Sequence, residues 1–294
     1  MALQCHQPSA QEGPALAQTD ENWIVRAPGD IDRIEASFSG APFTPHRHDT
    51  YAVGVTLKGL QSFDYRGETR ASRPGQLVIL HPDEEHDGRA GDERAFRYRT
   101  AYVPPAAVQA VLGGQALPFI DGGVSDHPGL RRAVWGLLRD ITRPLSGLAL
   151  QDALFDLATA LQQAVGDTPP ARIAHREAAA LARDYIEARL DESFTLDELE
   201  RATGHDRWSL SRDFRALYGA SPYRYLILRR LDRARAMIMH GTGLADAAHA
   251  CGFADQSHFT RLFRKAFGLT PKAWLAVQGR SHDRSISEPR TRPS

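Results

Sequence analysis

Two groups of residues in this chain have types and spacings that can carry chemistry. Four histidines fall close together in the first third, as His46-x-His48 in PHRHDTYAVGVTLKG and as His81 and His86 in HPDEEHDG. Residues i and i+2 on a strand share a face, so His46 and His48, joined by His86 from a facing strand, can supply three ligands of a catalytic or structural metal shell. The second group is a repeated helix. Residues 206–222 read DRWSLSRDFRALYGASP and residues 255–271 read DQSHFTRLFRKAFGLTP, with Arg212 answering to Arg261 and Arg215 to Arg264. On a helical wheel Leu210, Phe214 and Leu217 make one apolar stripe, while Trp208, Ser211, Arg212 and Arg215 make another. Phe259, Phe263 and Ala266 repeat the first stripe, and Ser257, Thr260, Arg261 and Arg264 the second. A mid-helix arginine can bond guanine O6 and N7 bidentately, and an exposed tryptophan can cover a thymine methyl.

These residues need elements to position them. Each repeated helix follows a shorter one ending in glycine, LDELERATG at Gly204 and LADAAHACG near Gly252. A short helix, a glycine turn and a second helix with a basic outer stripe is a helix-turn-helix, whose second helix enters the major groove. The intervening PYRYLILRRLDRARAMIM opens with Pro222, suited to a first helical turn. Its eighteen residues make a rod of about 27 Å, near the ~34 Å between successive major-groove faces on one side of a duplex.

The remaining chain divides by pattern. Of 294 residues, 42% are hydrophobic and 24% charged, and no apolar run is long enough to span a membrane. The net charge of zero hides an asymmetry: residues 201–280 hold 14 Lys and Arg against 5 Asp and Glu, while residues 1–200 hold 19 against 29. A basic lobe on an acidic body is the footprint of a protein that meets a polyanion at one end. Cys5 and Cys251 lie in unrelated settings, which argues against a disulfide framework, and the N-terminus lacks a secretion-signal pattern. The expected location is therefore the cytoplasm.

Residues 1–20 are expected to be disordered. Residues 21–105 hold short strand runs between Gly, Pro and Asp, expected to form a small barrel. Residues 106–165 turn helical, with apolar stripes in 127–141 and 148–165. GDTPPARIA marks a linker at 166–176, residues 177–278 are helical, and 279–294 form a disordered tail. The fold class expected is α+β in two domains. The first is a β-barrel with trailing helices. The second is all-α, with helix-turn-helix units at about 195–218 and 243–267 joined by a long helix. Cys251, before the turn, reads as core.

The C-terminal third resembles the DNA-binding domain of the AraC/XylS family of bacterial transcription regulators. ACGFADQSHFTRLFRKAFGLTPKAW, its counterpart ATGHDRWSLSRDFRALYGASPYRYL and the connecting RRLDRARAMI carry the resemblance. It implies base reading by Trp208, Ser211, Arg212, Gln256, Ser257, His258 and Arg261. Arg215, Arg264 and Lys265 fit phosphate contacts, which position without specifying sequence. The strand-rich half resembles a cupin sensor, with His46 and His48 in its first motif and His86 ending its second. The resemblance implies a small-molecule effector, a homodimer formed through the helices at 127–141 and 148–165, and RNA polymerase as partner if the protein activates.

Candidate pocket residues are His46, His48, Tyr51, Phe63, Tyr65 and His86, with Tyr98 as a further wall. His46, His48 and His86 are also the candidate ligands of a divalent metal. Metal-binding cupins carry a glutamate shortly after the histidine pair, where this chain has Tyr51, Ala52 and Val53. A metal-dependent cupin enzyme with an accessory helical domain is the alternative, weakened by that missing carboxylate and by the lack of another acid–base pair. A protein-binding adaptor without DNA binding is opposed by the arginines on both outer stripes.

Overall fold

The computed structural model describes residues 22–165, 173, 175–192 and 194–284. The expected disordered stretch at 1–20, the end of the expected tail from 285 onward and most of the expected linker lie outside the described residues.

The N-terminal half consists of two antiparallel sheets. One is ordered β1 (Trp23–Ala27), β2 (Asp32–Phe38), β9 (Phe96–Val103), β4 (Tyr51–Lys58), β7 (Leu77–Leu80), β10 (Val124–Ser125). The other is ordered β3 (Phe43–His46), β8 (His86–Ala90), β5 (Gln61–Tyr65), β6 (Glu68–Ser72). β4 is buried from Tyr51 to Thr56 because it lies between β9 and β7 and is covered on both faces, so YAVGVT carries no charged residue and does not alternate. The period of two still sorts its side chains. Tyr51, Val53 and Val55 face a core shared with α1 (Pro105–Leu112), α2 (Pro128–Leu138) and α3 (Gly147–Val165), while Ala52 packs in a separate inner cluster. The β5–β6 hairpin turns on Arg66 and Gly67, with φ of 53° and 82°, the pair of positive angles that a two-residue turn requires.

Buried Arg33 fastens the helices to the sheet. Its guanidinium donates to the carbonyls of Leu137, Asp140, Pro28 and Arg143 at 2.7–3.1 Å. The charge thereby sits at the C-terminal end of α2, where the helix dipole favours a cation.

The C-terminal half contains α4 (Arg176–Glu187), α5 (Leu196–Thr203), α6 (Arg207–Tyr218), α7 (Pro222–Met239), α8 (Leu244–Ala250), α9 (Gln256–Phe267) and α10 (Pro271–Arg284). α10 continues six residues past 278, where the sequence reading ends the helical domain. Two cores share α7: Tyr225 and Leu226 pack with α4–α6, and Ile227 through Ile238 with α8–α10. Buried Cys251 lies 3.8 Å from the Met237 sulfur within the second core.

Candidate nucleic-acid interface and effector cavity

The repeated helices are framed alike. Asp206 caps α6 by accepting from the Trp208 and Ser209 amides, and Asp255 caps α9 by accepting from His258. Gly219 and Gly268 end them at φ 75° and 72°, a left-handed conformation that a Cβ would strain. Leu210, Phe214 and Leu217 are buried in one core, and Phe259, Phe263 and Ala266 in the other.

The outer stripes face outward. Trp208 is 80% exposed, and the Arg212 side chain 69%, though its Nε lies 3.4 Å from Asp213. Arg215 is exposed as well, and Ser211 half-buried. On α9, Gln256, Ser257, Arg261 and Lys265 are exposed and Arg264 half-buried. His258 is less free, its ring set edge-on 6.0 Å from Phe253.

The two halves dock closely. The Thr44 amide and hydroxyl both donate to the Gly268 carbonyl, at 3.3 and 3.0 Å, and the Arg47 amide donates to the Lys265 carbonyl at 2.9 Å. β3 thus satisfies carbonyls at the C-terminal end of α9 that the helix itself leaves open. A Cβ on Gly268 would sit 2.9 Å from His46 Nδ1, so glycine serves both the turn and the close approach. Thr44 and Pro45 border a groove whose other wall holds Gln256, Ser257, Arg261 and Arg264. α6 docks elsewhere: Leu117 donates to the Ala216 carbonyl at 3.2 Å, and Gly219 lies against Pro82.

α7 supplies the charged part of the interface. Arg224 meets Asp83 at 3.0 Å, Arg229 pairs with Asp49, and Arg235 meets Asp32 at 3.2 Å. Asp83 reaches Arg224 from a left-handed backbone, at φ 61°. Burial works against the Asp32 carboxylate, but Arg26 and Arg235 outweigh it and hold its pKa below the usual value. Burial prevails at Asp49, where the pKa rises to about 6 despite Arg229. Arg26 and Arg235 also lie over the Trp274 ring, at 5.3 and 6.0 Å. Sequence reading missed this set: Arg229, Asp232 and Arg235 have the spacing of ordinary helix ion pairs, and an aspartate within a basic helix was the available signal.

Between the halves lies a cavity of about 220 Å³. Its walls include Ile34, Ala52, Val78, Phe96 and Tyr98 from the barrel, and Arg229, Arg235, Phe267 and Trp274 from the helical half. His46, His48 and His86 line it together, with ring centroids 4.3, 4.7 and 6.2 Å apart. Each ring is held by Nδ1, to the carbonyls of Thr44, Thr50 and Glu84 at 2.8–2.9 Å. Burial lowers the pKa of His46 to about 4 and of His48 to about 3, and that of His86 well below 6.5, so the rings are neutral at pH 7.

Tyr51, Phe63 and Tyr65 do not line this cavity. Tyr51 points from the other face of β4 and donates to the Pro118 carbonyl at 2.7 Å. Phe63 and Tyr65 pack behind Ala52, Val78 and Leu80, and the Tyr65 hydroxyl bonds His81 Nδ1 at 2.7 Å. His81 also accepts from the Ile120 amide, so both of its nitrogens are engaged structurally. Among the described residues no group of three or more His, Cys, Asp or Glu is arranged to hold a metal ion. The histidine trio converges without that arrangement.

A ligand-sized cavity in a β-domain, closed by a helical domain carrying two helix-turn-helix units, defines a ligand-responsive DNA-binding protein. Residues 28–158 match the AraC-like ligand binding domain and residues 199–276 a helix-turn-helix domain. The HTH-type transcriptional regulator YbfI of Bacillus subtilis is 27% identical over 222 residues, covering 74% of this chain and 81% of that one. The HTH-type transcriptional activator RhaS of Escherichia coli O81 is 24% identical over 253 residues, covering 81% and 90%. ToxT from Vibrio cholerae shares the fold, with a TM-score of 0.60 over 84% of this chain and 98% of that chain at 10% identity. With an AraC-like ligand binding domain followed by a helix-turn-helix domain, the chain is an AraC-type transcription regulator. No helix among the described residues is long and apolar enough to cross a membrane.

Proposed function

We propose that the cavity between the halves is the effector site and that its occupancy sets how the second reading helix is held. The observation carrying this reading is that β3 ends in the cavity residue His46 and is hydrogen-bonded through Thr44 to the end of α9. A ligand shifts such an equilibrium only as far as it binds the two dockings unequally. Trp208, Ser211 and Arg212 read bases in one major-groove segment. Gln256, Ser257, His258 and Arg261 read the next, while Arg215, Arg264 and Lys265 hold phosphates. ToxT has been solved with an unsaturated fatty acid bound, which supports ligand control in this fold.

The working division is a sensor at 21–105, a helical segment at 106–165, a linker at 166–176 and a DNA-binding domain at 177–278. The protein acts in the cytoplasm as a homodimer. Leu148, Phe155 and Val165 are exposed apolar residues of α3, and the helices at 127–141 and 148–165 supply the dimer face. Activation, as in RhaS, would bring RNA polymerase to the bound protein.

A divalent ion on His46, His48 and His86 is a competing occupant of the cavity, favoured by the Nδ1–carbonyl bonds that orient metal-ligating histidines. Stoichiometric zinc surviving dialysis would establish it. The effector reading is tested on a duplex selected from random sequence: filling the cavity by Ala52→Leu should abolish the effect of cell-derived metabolites on DNA affinity while leaving DNA binding intact. A metabolite response that persists in Ala52→Leu places the effector elsewhere.

A further inference from the structure

The histidine wall of the cavity offers hydrogen-bond acceptors. A carbonyl oxygen only accepts, so the bonds from Nδ1 to Thr44, Thr50 and Glu84 place the single proton of each neutral ring on Nδ1. Nε2 of His46, His48 and His86 therefore carries a lone pair, and among the described residues no group donates to it. Three such acceptors lie on rings no more than 6.2 Å apart at their centroids.

The facing wall does not welcome an anion either. Three arginines of the lining stand against five aspartates. Each arginine has an aspartate beside it, Arg26 with Asp32, Arg229 with Asp49 and Asp232, and Arg235 with Asp32 and Asp232. The Arg229 Nε has no partner among the described residues, but a carboxylate entering here would add a further negative charge to a lining whose aspartates already outnumber its arginines, and like charges brought together in a partly dehydrated site repel. The rest of the surface is apolar and aromatic, including Phe96 and Trp274. A cavity of about 150 Å³ holds benzene, so the roughly 220 Å³ here accepts a ring with a short substituent.

We infer that this site takes a compact apolar or aromatic molecule bearing a hydroxyl or ammonium donor, seats that donor on Nε2 of the histidine trio, and discriminates against carboxylates. The inference rests on the cavity being the effector site. It distinguishes ligands by the head group alone, because the ring is accommodated by the same apolar wall in every case.

Benzyl alcohol, benzylamine and benzoate share a ring and a reach and differ in that head group. Titrated into the full chain by ligand-observed magnetic resonance, the alcohol and the amine should bind at least about tenfold more tightly than benzoate. His48→Phe, which removes one acceptor, should shrink that preference. Ala52→Leu and Val78→Phe fill the cavity from neighbouring strands, and whichever retains the wild-type melting transition should lose all three probes. Benzoate binding as tightly as the alcohol and amine, and lost on filling, overturns the donor rule while leaving the cavity as the site. Binding that survives filling removes the cavity reading and the inference with it. Absence of saturation by every probe up to about 20 mM also overturns the inference. Stoichiometric zinc that displaces benzylamine overturns it in favour of a metal wall.

Discussion

The two reading helices are built to one plan and tethered in two ways. Asp206 and Asp255 open them, Gly219 and Gly268 close them, and Phe214 and Phe263 sit at equivalent buried positions. Outside that frame they diverge. α6 leans on Pro82 and Leu117, away from the cavity, and its outer tryptophan stands clear. α9 is hydrogen-bonded to the strand that carries His46, and its outer stripe shares a groove with Thr44 and Pro45. Repetition preserved what folds the helix, while the surroundings made only the second copy an immediate neighbour of the histidine wall.

The shared frame is tested first, by the largest effect. Phe214→Ala and Phe263→Ala should each destabilise the helical half by about 3–5 kcal/mol in denaturant melts. Unequal losses, with one near zero, would break the equivalence of the two cores.

Acid separates the tethers. His46, His48 and His81 have folded pKa values of about 4, about 3 and about 3, against 6.5 unfolded. The unfolded chain therefore binds more protons below pH 6.5, and stability present at pH 7 is lost as pH falls toward 4. Each histidine should cost about 2 kcal/mol by pH 5. Thermal melts from pH 7 to 5 should show the sensor loosening before the α4–α6 core, and a pH-independent sensor would contradict the burial assigned to these rings.

Base reading comes next. Arg212→Ala and Arg261→Ala should each lose about 1–3 kcal/mol at particular base positions. Arg264→Ala should weaken all sequences alike and reduce the slope of log affinity against log salt by about 1. A change in base preference for Arg264→Ala would move it into the reading set.

Much of this frame is legible in sequence because it is local. A cap, a turn glycine and an apolar stripe depend on neighbours within a few residues, so Asp206, Gly219 and Leu210 declare their roles without the fold. The histidine trio was legible too, since i and i+2 share a strand face. Tyr51 shows where that logic stops: aromatic spacing does not say which face of β4 points inward, and Tyr51 faces the helices while Ala52 lines the cavity. Phe63 and Tyr65 lie on the inner side but behind the lining. The pairs that join α7 to the sensor were illegible because they form only when the halves dock, joining residues as far apart as Asp32 and Arg235.

The most direct test of two distinct reading helices is selection of duplexes from random sequence by the wild-type chain, Arg212→Ala and Arg261→Ala. The two variants should lose preference at different positions, about one helical turn apart. Loss at the same positions, or at none, would contradict the account.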